Sequence, residues 1–233
     1  MSTNYNPRIV TDSLTVALDA ANSRSYSGTG TTWSDLSGNG NTGTLTNGPT
    51  YNSANGGSIV FDGLNDAVLL GSLGSFYSQG TISFWMNSTA AENYRNPFTT
   101  KYNGVNAGIR FEQYSNVSPY GGFTAVVGND GGSGLQIIDY SPNAILTENI
   151  WYNVVFVWST VANTAIGYLN GTQKFNTTHA SWPTTLPAVA IGNGYNSSRY
   201  YKGSFSNLLM YNKGLSAAEV AQNFNATRGR YGI

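Results

Sequence analysis

The 233-residue chain contains no cysteine and a single histidine, His179. The first absence excludes disulfides, zinc–thiolate sites and cysteine catalysis. The second excludes any metal site needing two imidazoles and disfavours a Ser-His-Asp mechanism. Charge is scarce as well. Eleven Lys and Arg balance eleven Asp and Glu, and charged residues make up 9% of the chain, far below the usual quarter. Without a basic surplus, nucleic acid and anionic membranes lose their simplest attraction, so neither is expected as a partner. No run approaches the roughly 18 apolar residues of a membrane span, so membrane insertion is not expected either. The opening MSTNYNPRIVTDSLTVALDAANS has no basic segment followed by an apolar one, and no secretory signal is read there.

What the chain does contain is short apolar stretches separated by Gly/Asn/Ser clusters, the pattern of an all-β sandwich or barrel. SLTVALD alternates Leu14, Val16 and Leu18 against Thr15, Ala17 and Asp19. GSIVFDG alternates through Ile59 and Phe61, and TISFWMN through Ile82, Phe84 and Met86. A sheet with one buried face requires this period of two. GIRFEQY, GGFTAVV, GLQIIDY, WYNVVFVWS and GSFSNLLMY continue the series, giving about a dozen strands in two packed antiparallel sheets. In TAIGYLNGTQKFN, Asn170-Gly171 sits between two alternating arms and predicts a type I′ hairpin.

One helix is predicted, near the C-terminus. Ser216 with Glu219 forms a capping box, Leu215 can staple to Val220, and Phe224 follows one turn later. The span Ser23–Asn55 is rich in Gly, Asn, Ser and Thr, and predicts long loops with brief strand pairing, pinned by Trp33, Leu36 and Leu45. We therefore expect an N-terminal arm over 1–11, one sandwich over 12–227, and a tail over 228–233 in which no element is predicted. The arm and the tail are the segments free for docking.

The ordered blocks LDA, WSDLSGNGNTGTL, GSIVFDGLNDAV, TISFWM, WYNVVFVW, GYLNGTQ, AIGNG and KGSFSNLLMYNKGLSAAEVAQNF resemble a laminin-G-like domain of the concanavalin A-like lectin/glucanase superfamily. The likeness runs from about Leu14 to Phe224. It implies an all-β, two-sheet antiparallel jelly-roll sandwich with one short C-terminal helix. More narrowly, LSAAEVAQNFNATRGRYGI and LDAANSRSYSGTGTTWSDLSGNGNTGTLTNGPTYNSANGGSIVFDG are similar to versions found in tailed-phage structural proteins. That agrees with a composition suited to an extracellular surface in a chain made without a signal. The expectation is a virion component, a capsid decoration or head or tail fibre element, made in the host cytoplasm. Its partners would be other virion proteins, and it would be a homo-oligomer.

Glycoside hydrolysis needs two carboxylates flanking one bond. The chain has four glutamates, Glu92, Glu112, Glu148 and Glu219, and no strand carries an alternating acidic pair. Glu219 belongs to the capping box. Glu112, two residues from Arg110 on one strand face, reads as a surface ion pair. No enzyme is expected. There is no phosphate-binding loop or dinucleotide fingerprint.

Calcium, which takes loop carboxylate and amide oxygens, has two candidate stretches. One holds Asp35, Asn39 and Asn41, the other Asp62, Asn65 and Asp66. The preferred reading is that Asp35 and Asp62 accept loop amides, and a structural calcium is the only cofactor left open. Sugar binding without hydrolysis uses flat aromatic faces with amide and hydroxyl groups. The candidates are Trp182 in HASWPTTLP, Tyr195, Arg199, Tyr200 and Tyr201 in YNSSRYYKG, and Asn93-Tyr94-Arg95. Trp85, Trp151 and Trp158 are read as packing residues, whereas Trp182 beside Pro183 is read as exposed. The alternative to a virion part is therefore a lectin-like module recognising host cell-surface glycans, with calcium as an optional requirement.

Overall fold

The computed structural model describes residues 8–89, 94–100, 108–114, 122–129, 134, 136–140, 146–186, 188–194 and 199–233. Its strands are β1 (Leu14–Asp19), β2 (Thr32–Trp33), β3 (Gly43–Thr46), β4 (Thr50–Asn52), β5 (Ser58–Asp62), β6 (Ala67–Leu69), β7 (Gly74–Ser75), β8 (Gln79–Ser88) and β9 (Arg95–Thr99). There follow β10 (Gly108–Tyr114), β11 (Gly122–Gly128), β12 (Gln136–Asp139), β13 (Trp151–Ser159), β14 (Thr164–Leu169), β15 (Thr172–Thr178), β16 (Thr185–Leu186), β17 (Ala190–Ile191) and β18 (Lys202–Tyr211). Among the described residues one α-helix is present, α1 (Ala217–Thr227). The strands outnumber the dozen expected because pairings as short as two residues stitch the loops to the sheets. Three of the brief ones, β2, β3 and β4, lie in the irregular span before residue 56.

Two antiparallel sheets face each other. The first runs β15-β14-β13-β8-β18-β5-β4. Along one edge of β18, Lys202–Phe205 pair with β5 and Asn207–Tyr211 pair with β1. The second sheet runs β12-β11-β10-β9-β17-β6-β3-β2. Between them lies an aromatic core. Phe84 of β8 stacks on Phe205 at 5.0 Å and meets Phe111 of β10 edge-on at 4.9 Å. Ile82, Phe84 and Met86 all point inward, as the alternation of β8 requires.

The opposite face of the first sheet is also covered. Val10, Ala17, Val155, Val157, Tyr168, Leu209 and Tyr211 form a second apolar layer with Leu215 and Val220 of the helical segment. Leu14 packs in this outer layer and not in the core with Val16 and Leu18. A register shift between Leu14 and Val16 reverses the side of the sheet, which plain alternation did not anticipate. The capping box is formed: Ser216 Oγ accepts from Glu219 N at 3.3 Å, and Glu219 Oε2 accepts from Ser216 N at 2.8 Å. At the β14–β15 turn, Asn170 and Gly171 have φ of 50° and 74°, as a type I′ turn demands.

The tail carries more structure than the sequence suggested. Arg228–Tyr231 is a 3-10 helix. Tyr231 stacks on Trp85 at 4.0 Å and meets Trp151 at a tilt of 44° and 4.8 Å, while Arg230 makes two bonds to Asp19 at 2.8 and 3.0 Å. In the N-terminal arm, residues 1–7 lie outside the described residues. Val10 N donates to Asn223 Oδ1 at 2.7 Å and Gln222 Nε2 donates to Arg8 O at 2.7 Å, so the end of the arm is fastened to α1. No helix among the described residues is long and apolar enough to cross a membrane.

Candidate functional site

The candidate residues separate into two groups at opposite ends of the sandwich. Strand β8 links those ends. Gly80 lies against Trp158 at one of them, and Ser88 donates to Gln113 Oε1 at the other. Ten residues of strand span about 30 Å.

At the first end, the chain after β15 folds back over β8 and β13. Trp158, Phe76 and Trp182 stack in that order, with centroids 5.0 and 6.2 Å apart and planes 22° apart in each pair. The expectation of a freely exposed Trp182 is corrected. The indole is half-buried, packed against the core, with its N–H out of solvent and without a protein acceptor. The reason is Phe76, which occupies the space between Trp182 and the core. His179 meets the Trp182 ring edge-on at 4.7 Å and 89°.

The imidazole is itself fixed. Nε2 lies 2.7 Å from Ser181 O and Nδ1 2.7 Å from Gln136 Oε1. A carbonyl only accepts, so Nε2 carries a proton. Burial pushes the imidazole below its ordinary value, with the Ser181 hydrogen bond opposing. In front of Trp182 opens a cavity of about 420 Å³, lined by Phe76, Tyr77, Ser78, Thr160, Asn163, Ala180, Trp182, Pro183 and Thr184. Among the described residues its polar groups are hydroxyls and amides, and no lining side chain is charged.

At the second end, Tyr94 is 49% exposed and takes φ of 62°. The left-handed region costs a non-glycine residue roughly 1–2 kcal/mol, so the surroundings must hold this conformation. The Arg199 guanidinium carbon lies 4.5 Å from the ring centroid. Arg199 Nη1 donates to Glu112 Oε1, which also accepts from Arg110 Nε at 2.6 Å. The reading of Arg110–Glu112 as a surface pair is corrected: their side chains are 4% and 2% exposed. Both lie on the face of β10 away from Phe111. Alternation identified that face but not that it is covered.

Tyr200 is half-buried, and its carbonyl accepts from Arg95 Nη1 at 2.9 Å. Tyr201 is corrected from a loop aromatic to a core residue. It is fully buried against Phe61, and burial drives its hydroxyl pKa far up. Tyr195 and Asn93 lie outside the described residues.

The acidic stretches act on their own loops. Asp35 Oδ1 accepts from Ala17 N at 2.8 Å and Ser37 N at 2.9 Å, and Oδ2 accepts from Asn41 N at 2.9 Å. Asn39 Nδ2 donates to Leu14 O at 3.1 Å. Asp62 Oδ1 accepts from Leu64 N at 2.7 Å, and Asp66 Oδ2 accepts from Asp62 N at 3.0 Å. Asp66 is buried, and desolvation raises its carboxyl above the usual range. No cluster of three or more acidic or imidazole groups suited to a metal occurs among the described residues.

A laminin-G-like family model of the concanavalin A-like lectin/glucanases superfamily matches residues 61–221. The chain belongs to this superfamily. No curated protein matches it by sequence. Among solved structures, the superfamily fold recurs in domain 4 of an extracellular GH43 arabinanase from Geobacillus stearothermophilus, in complex with arabinotriose. That domain is 18% identical, with a TM-score of 0.69 over 90% of this chain and 97% of that one. The binding domain of Paraclostridial Mosquitocidal Protein 1 is 16% identical, with a TM-score of 0.70 over 93% of this chain and 52% of that one. The ligand-binding domain of botulinum neurotoxin serotype D, in complex with N-acetylneuraminic acid, is 14% identical, with a TM-score of 0.69 over 92% and 51%. The chain spans about half the length of these toxin binding domains. The two toxin domains are binding domains by description, the arabinanase domain is described with arabinotriose bound, and at such identities the likeness speaks for the fold.

Phe76 and Gln136 were not singled out from the sequence, and His179 was named there without a place in the site. His179 carried one available signal, being the only imidazole and lying three residues before Trp182.

Proposed function

We propose that this domain is a non-catalytic carbohydrate-binding module and that the cavity beside Trp182 receives an uncharged saccharide. One observation carries the reading: a cavity of about 420 Å³ combines an aromatic wall of Phe76, Tyr77 and Trp182 with the hydroxyls and amide of Ser78, Thr160, Thr184 and Asn163. Its size lies within the usual range of small-ligand pockets. The C–H face of a sugar desolvates cheaply against a flat ring, and the fixed stack means little ordering is needed on binding. Among the described residues no acid lines the cavity, so none of them supplies a member of the carboxylate pair of glycoside hydrolysis there. The complex of the arabinanase domain with arabinotriose supports the same ligand class.

A glycan array followed by calorimetry on the best neutral oligosaccharide tests this. Trp182→Ala is expected to weaken binding at least about 30-fold, the value of a hot-spot aromatic. Saturable binding that survives the substitution, or no binding to any neutral glycan, would refute the assignment. Chelation is expected to leave that binding unchanged, because the carboxylates of Asp35, Asp62 and Asp66 bond loop amides. Placement on a phage particle is a compatible setting. It rests on the low charge, the absence of thiols and the similarity of phrasing at the two ends of the chain, and mass spectrometry of purified particles tests it.

A further inference from the structure

Taking the Trp182 cavity as a neutral-saccharide site, we infer that Asn163 sets its specificity. The side-chain amide bridges two adjacent hydroxyls of the sugar that lies against the ring.

Three observations converge on this residue. First, Asn163 lies in the turn between β13 and β14, whose pairing ends at Ser159 and Thr164, and it lines the cavity with Trp182, Tyr77 and Ser78. Second, among the described residues its side chain is the one amide in the lining, and it makes no hydrogen bond. Third, the turn that carries it is fixed on both flanks. Thr160 N and Oγ1 donate to Ser78 O at 2.7 and 3.1 Å, and His179 N donates to Asn163 O at 2.9 Å. The His179 ring in turn meets Trp182 edge-on at 4.7 Å. One residue thus anchors both the backbone of Asn163 and the indole, so amide and ring are spaced before any ligand arrives.

The chemistry selects the ligand. A primary amide offers one acceptor oxygen and two donor hydrogens. Adjacent hydroxyls on a sugar ring, unless both are axial, stand close together. One can donate to Oδ1 while its neighbour accepts from Nδ2. The class expected is therefore a neutral sugar with an unsubstituted vicinal diol. Asn163 takes φ of 51°, in the left-handed region that Asn and Gly favour. Glycine therefore removes the amide without straining the turn.

Calorimetry of the full chain against arabinotriose, cellotriose and maltotriose tests the inference. At least one is expected to bind, and its fully O-methylated form, with no hydroxyl left to donate, is expected to bind about tenfold or more weakly. Asn163→Gly is expected to weaken the native sugar about five- to tenfold, the value of a hydrogen-bond contact open to water. Its Trp emission and its melting curve are expected to match the parent's, because cavity and turn keep their shape. Native affinity within about twofold of the parent in Asn163→Gly would overturn the inference, while loss of binding in Trp182→Ala would still support the aromatic contact. A loss in Asn163→Gly accompanied by altered emission or a melt lowered by several degrees would assign Asn163 to the shape of the turn and overturn it too. So would equal binding of native and methylated sugars. Binding by none of the three would also overturn it, and the broader glycan array then judges the Trp182 cavity separately.

Discussion

Replacing Tyr231 with alanine probes how far the last residues belong to the fold. Tyr231 is 7% exposed, lies 4.0 Å from Trp85 and 4.8 Å from Trp151, and closes the outer face of the first sheet beyond Phe224. Burying such a side chain contributes about 2 kcal/mol, and each aromatic pair adds about 0.5–1.5 kcal/mol. Substitution leaves the backbone in place and uncovers Trp85, so the expected loss is about 3–5 kcal/mol. For a domain of this size each kcal/mol shifts the midpoint by about 2–4 °C, so Tm is expected to fall by roughly 6–20 °C. Circular dichroism melts give the shift. A red-shifted Trp emission in the native state reports the exposure of Trp85 and Trp151 directly. Tyr231→Phe keeps both ring contacts and is expected to melt within about 2 °C of the parent. A Tyr231→Ala shift of under about 2 °C, with unchanged emission, would show that the tail lies on the sheet without stabilising it.

Gly80→Ala places a Cβ 2.2 Å from the buried Trp158 ring. Overpacking of this kind costs about 1–3 kcal/mol, and a drop in Tm of several degrees is expected from a thermal melt. His179 supplies a pH prediction. Its folded-state pKa is depressed by burial, so between that value and the ordinary imidazole value the unfolded chain binds more protons. Stability is therefore expected to be flat above about pH 7 and to fall as the pH drops through and below about 6.5, levelling only once the folded imidazole titrates. His179→Gln should flatten this segment of a Tm-against-pH curve. A curve unchanged by that substitution would contradict the assigned environment. Glu219 is depressed by Lys213 and by the helix-cap contacts; its contribution is lost in the separate, more acidic window below the ordinary glutamate value.

Much of the frame was legible because it depends on local rules. The alternation of β8, the two positive φ angles at Asn170-Gly171 and the Ser216–Glu219 box each follow from a few neighbouring residues. What escaped depends on what covers a face. Leu14 changed sides through a register shift that leaves no mark in composition. Arg110 and Glu112 alternate like surface residues, and only the folded chain shows them enclosed. Trp182 was recognised as a candidate, but its posture is set by Phe76, more than a hundred residues earlier, and by His179. Tyr201 shares the polar, Ser-rich stretch with Arg199 and Tyr200, yet the next strand carries it into the core beside Phe61. The last six residues have no period to read, and Tyr231 acts through Trp85, far away in sequence.

The placement of both candidate sites at the ends of the sandwich follows from how its flat faces are used. On the first sheet, Trp85, Val155, Val157, Leu209 and Tyr211 are buried beneath α1, the N-terminal residues and the tail. On the second sheet, Arg110, Glu112, Thr124 and Val126 lie on the face opposite Phe111 and Phe123, and they too are buried. Neither central face is open to a ligand at these positions. The ends are different, because there the strands stop and their connecting loops carry rings held by residues of the body: Trp182 by Phe76 and His179, Tyr94 by Arg199 and Glu112. At one end the described residues around the Trp182 cavity are uncharged, while the other encloses the Arg110–Glu112 pair. A domain with only 9% charged residues thus concentrates buried charge at one of its two candidate contacts.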